Sequence, residues 1–158
     1  MAIDKDGAGG LDRKTADELL YRSLRSVYHF ERGLVERFGL GYQEIYLLQL
    51  LRRRESARIG EIASALGAKV FSTTRLVQRL EVLGYVGKER DEGDRRGVSV
   101  RLLPAGGRLV GEIEAHNFGR IVGAASALSA DEQSAFVLVA RNLDRVLGVE
   151  DRVDLDPA

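Results

Sequence analysis

Apolar side chains recur at helical spacing through residues 11–38, at Leu20, Leu24, Val27, Leu34 and Phe38. No proline interrupts them and Gly33 is the one weak interior position, so a single long helix is expected, ended by Phe38-Gly39-Leu40-Gly41. Gln43 to Arg54 repeats the pattern, with Ile45, Leu48 and Leu51 inward. Ile59 to Leu66 predicts a short third helix, Gly67 a turn, and Lys69 to Leu83 a fourth helix stopped by Gly84. The period then changes from about 3.6 to 2. Tyr85 to Arg90 reads as a strand, and in its partner Val98, Val100 and Leu102 point one way while Ser99 and Arg101 point the other. Pro104 suits the first position of a fifth helix running to about Ala125. Ser129, with Glu132 three residues later, forms a capping-box pattern for a sixth that carries Phe136, Val139, Leu143 and Leu147. The expected order is α-α-α-α-β-β-α-α: a mainly α fold with one small β-hairpin, as a single domain.

Composition removes several functions. The 158 residues include no cysteine, which excludes disulfides, Cys-ligated zinc and thiol redox sensing on this chain. No apolar run reaches membrane-spanning length; the nearest, Ile45 to Leu51, is broken by Gln49. Asp4, Asp6 and Asp12 do not suit a signal peptide, so a cytoplasmic protein without a membrane partner is expected. The formal net charge is zero, but it is unevenly spread. Arg52 to Arg101 holds 12 Lys/Arg against 7 Asp/Glu, so 12 − 7 = +5, and the remainder carries −5. A basic middle between acidic ends is the footprint of a DNA-binding module within a larger scaffold; from charge alone, solvated arginines are the alternative.

The hairpin tip sharpens that footprint. It consists of Asp91, Glu92, Gly93, Asp94, Arg95 and Arg96, charges where turn formers are usual. A helix–turn–helix followed by such a hairpin looks like a winged helix, which reads DNA with one helix in a groove and the wing in the next. At 100° per residue, Thr73, Leu76, Val77, Leu80 and Leu83 share the inner face of the fourth helix. Phe71, Thr74, Arg75, Gln78 and Arg79 share the outer face, and Lys69 and Ser72 lie at its start. Arginine can pair with guanine, glutamine with adenine, and threonine or phenylalanine can touch a thymine methyl. Phe71 either reads a base edge or packs back on the turn after Gly67.

The stretch from Ile59 to Gly106 resembles the MarR family of bacterial transcriptional regulators. IGEIASALG matches the first helix of its motif, STTRLVQRLEVLGYV the recognition helix and its exit, and DRRGVSVRLLPAG the wing. Two positions depart: Lys69 stands where the family often has a serine cap, and Leu103 where threonine usually caps the fifth helix, partly offset by Pro104. The apolar residues of 11–38 and 104–147 predict a helical dimerisation layer packed against a second chain, the alternative being a monomer that buries these helices on its own core, and the resemblance implies a winged helix–turn–helix over 40–103. It implies an obligate homodimer on a pseudo-palindromic double-stranded operator, most simply a repressor released by a small phenolic or aromatic acid. It also implies that Arg96 enters the minor groove and Asp94 holds it.

An effector crevice between the layer and the winged helix has candidates in Tyr21, Arg25, Tyr28, His29, Tyr42 and Tyr46; an aromatic wall with a cation suits a carboxylated aromatic. No cofactor is expected. Two other classes stay open: a DNA-free protein adaptor using the helical layer, and a small metal-dependent enzyme. For the enzyme, Glu112 and His116 are four residues apart on one helix, a spacing more often an ion pair than half a metal site.

Overall fold

The computed structural model describes residues 12–90 and 98–149. These fall into two compact units, one ending at Tyr42 and one beginning at Gln43.

The first unit is dominated by α1, Arg13–Phe38. Asp12 caps it, its carboxylate accepting from the Thr15 backbone N–H at 2.8 Å and from the Thr15 hydroxyl at 3.1 Å. The first of those bonds is the main reason the Asp12 carboxyl sits below the ordinary aspartate range. Gly39 stops the helix at φ 68°, a left-handed conformation that glycine enters without steric cost. Leu34 is buried, whereas Leu19, Leu20, Leu24 and Val27 are exposed.

The second unit takes in α2 (Tyr42–Arg54), β1 (Ser56–Arg58), α3 (Ile59–Ala65), α4 (Val70–Val82), β2 (Val86–Arg90), β3 (Val98–Leu102), α5 (Pro104–Ala125), α6 (Ala130–Arg141) and α7 (Leu143–Leu147). The three strands form an antiparallel sheet in the order β1-β3-β2. Val86 pairs with Leu102 and Arg90 with Val98, so Val100 lies at the middle of the ladder, fully buried. The core is closed by Leu47, Leu48 and Leu51 of α2, Ile62 of α3, Val77 and Leu80 of α4, and Val110 and Ile113 of α5.

Gly106 lets α5 come close to the hairpin base. The Leu103 N–H donates to the Tyr85 carbonyl at 2.9 Å, and a Cβ on Gly106 would lie 2.1 Å from that oxygen. Only glycine fits there. Past Ile113, α5 leaves this cover: Phe118, Ile121 and Val122 are exposed, and α6 and α7 bury no residue.

Beyond shifts of a residue or two at helix ends, the structure departs from expectation in its elements and in one burial. The strand β1 was not foreseen. It has three residues, too few to establish a period of 2, and exists because Ala57 pairs with Val100 on the other edge of β3. The expected sixth helix is two helices, interrupted at Asn142 (φ −117°, ψ 19°), whose side-chain amide donates to the Leu138 carbonyl at 2.8 Å. Asparagine competes for backbone acceptors in this way and weakens a helix from within. Leu83, expected on the inner face of α4, is 45% exposed, because it caps the helix where the chain turns at Gly84 (φ 73°).

Candidate nucleic-acid interface

The turn between α3 and α4 sets the direction of α4. Gly67 takes φ 57°, its N–H reaches the Ser64 carbonyl at 3.0 Å, and the Ala68 N–H reaches the Ala63 carbonyl at 2.9 Å. At the start of α3, the Glu61 carboxylate accepts from the Arg58 backbone N–H at 2.6 Å. Lys69 caps α4 without a side-chain bond, as its departure from serine implied; Leu103 likewise caps α5 without one, followed by Pro104 in the first turn.

Burial divides α4 as its sequence pattern does, Leu83 and Thr74 apart. Thr73, Val77 and Leu80 are buried and Leu76 half-buried. Phe71, Arg75 and Gln78 form one exposed ridge, extended by Val82 at the far end; Lys69, Ser72 and Arg79 are exposed beside it. Thr74 is half-buried, and its hydroxyl donates to the Val70 carbonyl at 2.9 Å. Phe71 does not pack back on the turn: it is 72% exposed, with the Arg75 guanidinium carbon 5.4 Å from its ring centre.

Arg79 stands differently from Arg75. Its Nε lies 3.1 Å from Oε1 of Glu44, a carboxylate from α2 that is 2% exposed. Glu44 was missed as a site residue. The signal was present, since it is four residues before Leu48 and seven before Leu51, on the apolar face of α2. An acid there needs a cation, because a buried charge without a partner is costly.

Two more cations of the basic segment are paired within the unit. Lys88 Nζ lies 2.6 Å from Glu81 Oε2, tying β2 to α4, and Arg101 pairs with Glu89 across the hairpin. Asp94, Arg95 and Arg96 lie outside the described residues. Of the effector candidates, Tyr21, Arg25, Tyr28, His29, Tyr42 and Tyr46 are all exposed, and the Tyr28 and His29 rings meet edge to face at 5.4 Å. Among the described residues no three His, Cys, Asp or Glu cluster as metal ligands, and no helix is long and apolar enough to cross a membrane.

Residues 40–98 match the family model described as the MarR family. The HTH-type transcriptional regulator TtmR of Methylorubrum extorquens is 31% identical over 118 residues, which is 75% of this chain and 60% of TtmR; the chain thus spans less than two thirds of that relative. The HTH-type transcriptional regulator SarR of Staphylococcus aureus is 37% identical over 83 residues, 51% of this chain and 72% of SarR. In fold, the chain superimposes on Streptococcus pneumoniae FabT, solved in complex with DNA, with a TM-score of 0.75 and 20% identity, over 87% of this chain and 98% of that one.

Proposed function

The chain belongs to the MarR family, and on that premise we propose that it is a DNA-binding transcriptional regulator acting as a homodimer. The observation that carries this reading is the ridge of α4. Phe71, Arg75 and Gln78 are held outward by a buried opposite face, at the position where a helix–turn–helix presents its reading helix. In this reading α4 enters the major groove, and two copies meet half-sites about one helical turn apart. Lys69 and the wing arginines Arg95 and Arg96 approach the phosphates. Arg96 reaches the minor groove with Asp94 orienting it, so Arg96→Ala weakens operator binding by roughly 1–3 kcal/mol, and Asp94→Ala also weakens it although it removes a negative charge.

The dimer is supported by the apolar side chains that α1 and the stretch from Phe118 to Leu147 leave in water. A second copy is the partner that would cover them. The exposed tyrosines, with Arg25 and His29, suit a small aromatic acid as the effector, and its binding would relieve the repression expected of a regulator that resembles this family.

The test is selection of bound duplexes from a random-sequence pool by the full chain, followed by footprinting. An inverted repeat with a steep salt dependence, a log–log slope on the order of −5 or steeper, is expected. A single asymmetric half-site or a flat salt response would contradict the proposal.

A further inference from the structure

Phe71 poses a question that phosphate binding does not answer. A phenyl ring 72% exposed gains nothing from the core of its own chain. Its neighbours along the ridge, Arg75 and Gln78, are polar. The ring can neither donate nor accept a hydrogen bond, so in a major groove it has one kind of match. Among the base edges displayed there, the apolar group is the C5 methyl of thymine. Phe71 is the second residue of α4, and the first residues of a reading helix are the ones brought to base edges.

Arg75 follows one turn later with its guanidinium carbon 5.4 Å from the ring centre. A contact of this kind limits the directions a long, flexible side chain can take. It keeps the guanidinium beside the ring, with its planar fork of donors available to a partner. Arg79 is the less free of the two, because its Nε lies 3.1 Å from the buried Glu44 Oε1, an ion pair that draws its guanidinium towards α2. The base that accepts two parallel bonds from arginine in the major groove is guanine, through O6 and N7. Four residues of helix advance about 6 Å, and base pairs are spaced about 3.4 Å, so the two contacts fall one or two base-pair steps apart.

We infer that Phe71 and Arg75 act as one specificity-determining pair, reading a thymine methyl and a guanine within two base-pair steps in each half-site. The inference rests on α4 being the reading helix. It assigns base readout to Phe71 and Arg75 and leaves Arg79 with its ion pair to Glu44.

The test uses the full chain and the selected operator duplex. Each thymine is replaced in turn by uracil, which keeps every hydrogen bond and removes one methyl; each guanine is replaced by 7-deazaguanine, which removes N7. One thymine per half-site should show an affinity loss of about fourfold, the ~0.8 kcal/mol of one buried methyl. Phe71→Ala should bind the parent duplex more weakly and be indifferent to that same uracil. A guanine within two steps should be sensitive to 7-deaza substitution in the unaltered protein and insensitive in Arg75→Ala. Tight binding of the parent duplex with no thymine that matters, or a Phe71→Ala protein that keeps the uracil effect, overturns the inference and leaves DNA binding intact. Failure to select any duplex overturns both.

Discussion

Helix α5 runs through two environments without a break. Up to Ile113 it buries Gly106, Val110 and Ile113; from Phe118 onward it exposes Phe118, Ile121 and Val122. The sequence does not change character between the halves, and both are apolar at helical spacing. What changes is the supply of partners within the chain. The first half has the hairpin base beneath it, with Gly106 allowing the approach to Tyr85. Among the described residues the second half, like α6 and α7, has no such cover. An apolar face therefore shows that something must cover it, not that the same chain does. Here the difference separates a self-covered winged helix from helices whose apolar faces no described residue covers, the faces that the proposed dimer would bury.

The largest expected effect tests that contrast directly. Ile113→Ala should lower stability by about 2–5 kcal/mol, as filled core positions do, by the same amount at any protein concentration. Ile121→Asp should act mainly through assembly, with a loss in thermal melts that grows on dilution and a lower mass by light scattering. Equal, concentration-independent losses at both positions would erase the distinction between the halves.

The glycines of the first half sharpen it further. Gly106→Ala forces a Cβ against the Tyr85 carbonyl and should cost about 1–3 kcal/mol, as overpacking does. Gly107→Ala meets nothing within 4 Å and should stabilise by about 0.5–1 kcal/mol, the helix preference of alanine over glycine. Denaturant midpoints that move the same way for both would show that α5 does not rest on the hairpin as described.

A similar division runs through α4. Arg79→Ala leaves the Glu44 carboxylate buried without that cation and should cost about 1–3 kcal/mol of stability. Arg75→Ala removes an exposed side chain and should change stability by less than about 0.5 kcal/mol while weakening DNA binding. Melting curves and anisotropy titrations of the two variants separate a cation tied to the core from one that reads. Equal melting temperatures would place Arg79 with Arg75.

The smallest effect concerns helix ends. The Asp12 carboxyl is held low chiefly by the Thr15 backbone N–H, and the Glu132 carboxyl chiefly by that of Ser129. A carboxyl whose pKa is lower when folded stabilises above its unfolded value, and that contribution is lost as pH falls through the folded value. The first turns of α1 and α6 should therefore fray on acidification below roughly pH 4, while Val77 and Leu80 amides of α4 stay protected. Hydrogen exchange followed by NMR reads this, and first turns indifferent to acid would contradict the capping role.

Several helix boundaries were legible because a local rule set them, although the Asp12 cap that starts α1 inside the expected 11–38 was not read. Gly39 and Gly84 stop helices through backbone conformation, Pro104 starts one, and Ser129 with Glu132 caps another, the Ser129 N–H donating to the Glu132 carboxylate at 2.8 Å. The alternation at Val98, Val100 and Leu102 marked β3 for the same reason. Much of what stayed hidden depends on distant partners. β1 exists because β3 has a second edge, and Glu44 is in place because Arg79 arrives from another helix. The interruption at Asn142 comes from one amide choosing a backbone acceptor, a choice that periodicity does not record. Phe71 lies between these cases: its face was readable, but only the fold shows its ring exposed and set against Arg75.

In the proposed complex, two copies of this chain read one duplex through α4. Sedimentation velocity with the selected operator duplex, labelled so that only DNA-containing species are seen, measures this directly. Two chains per duplex are expected for the unaltered protein. With Arg75→Ala at the same concentration the labelled duplex should sediment free, while that variant alone, followed by its own refractive-index signal, sediments as a dimer. One chain per duplex, or Arg75→Ala sedimenting with DNA as the unaltered protein does, would contradict it.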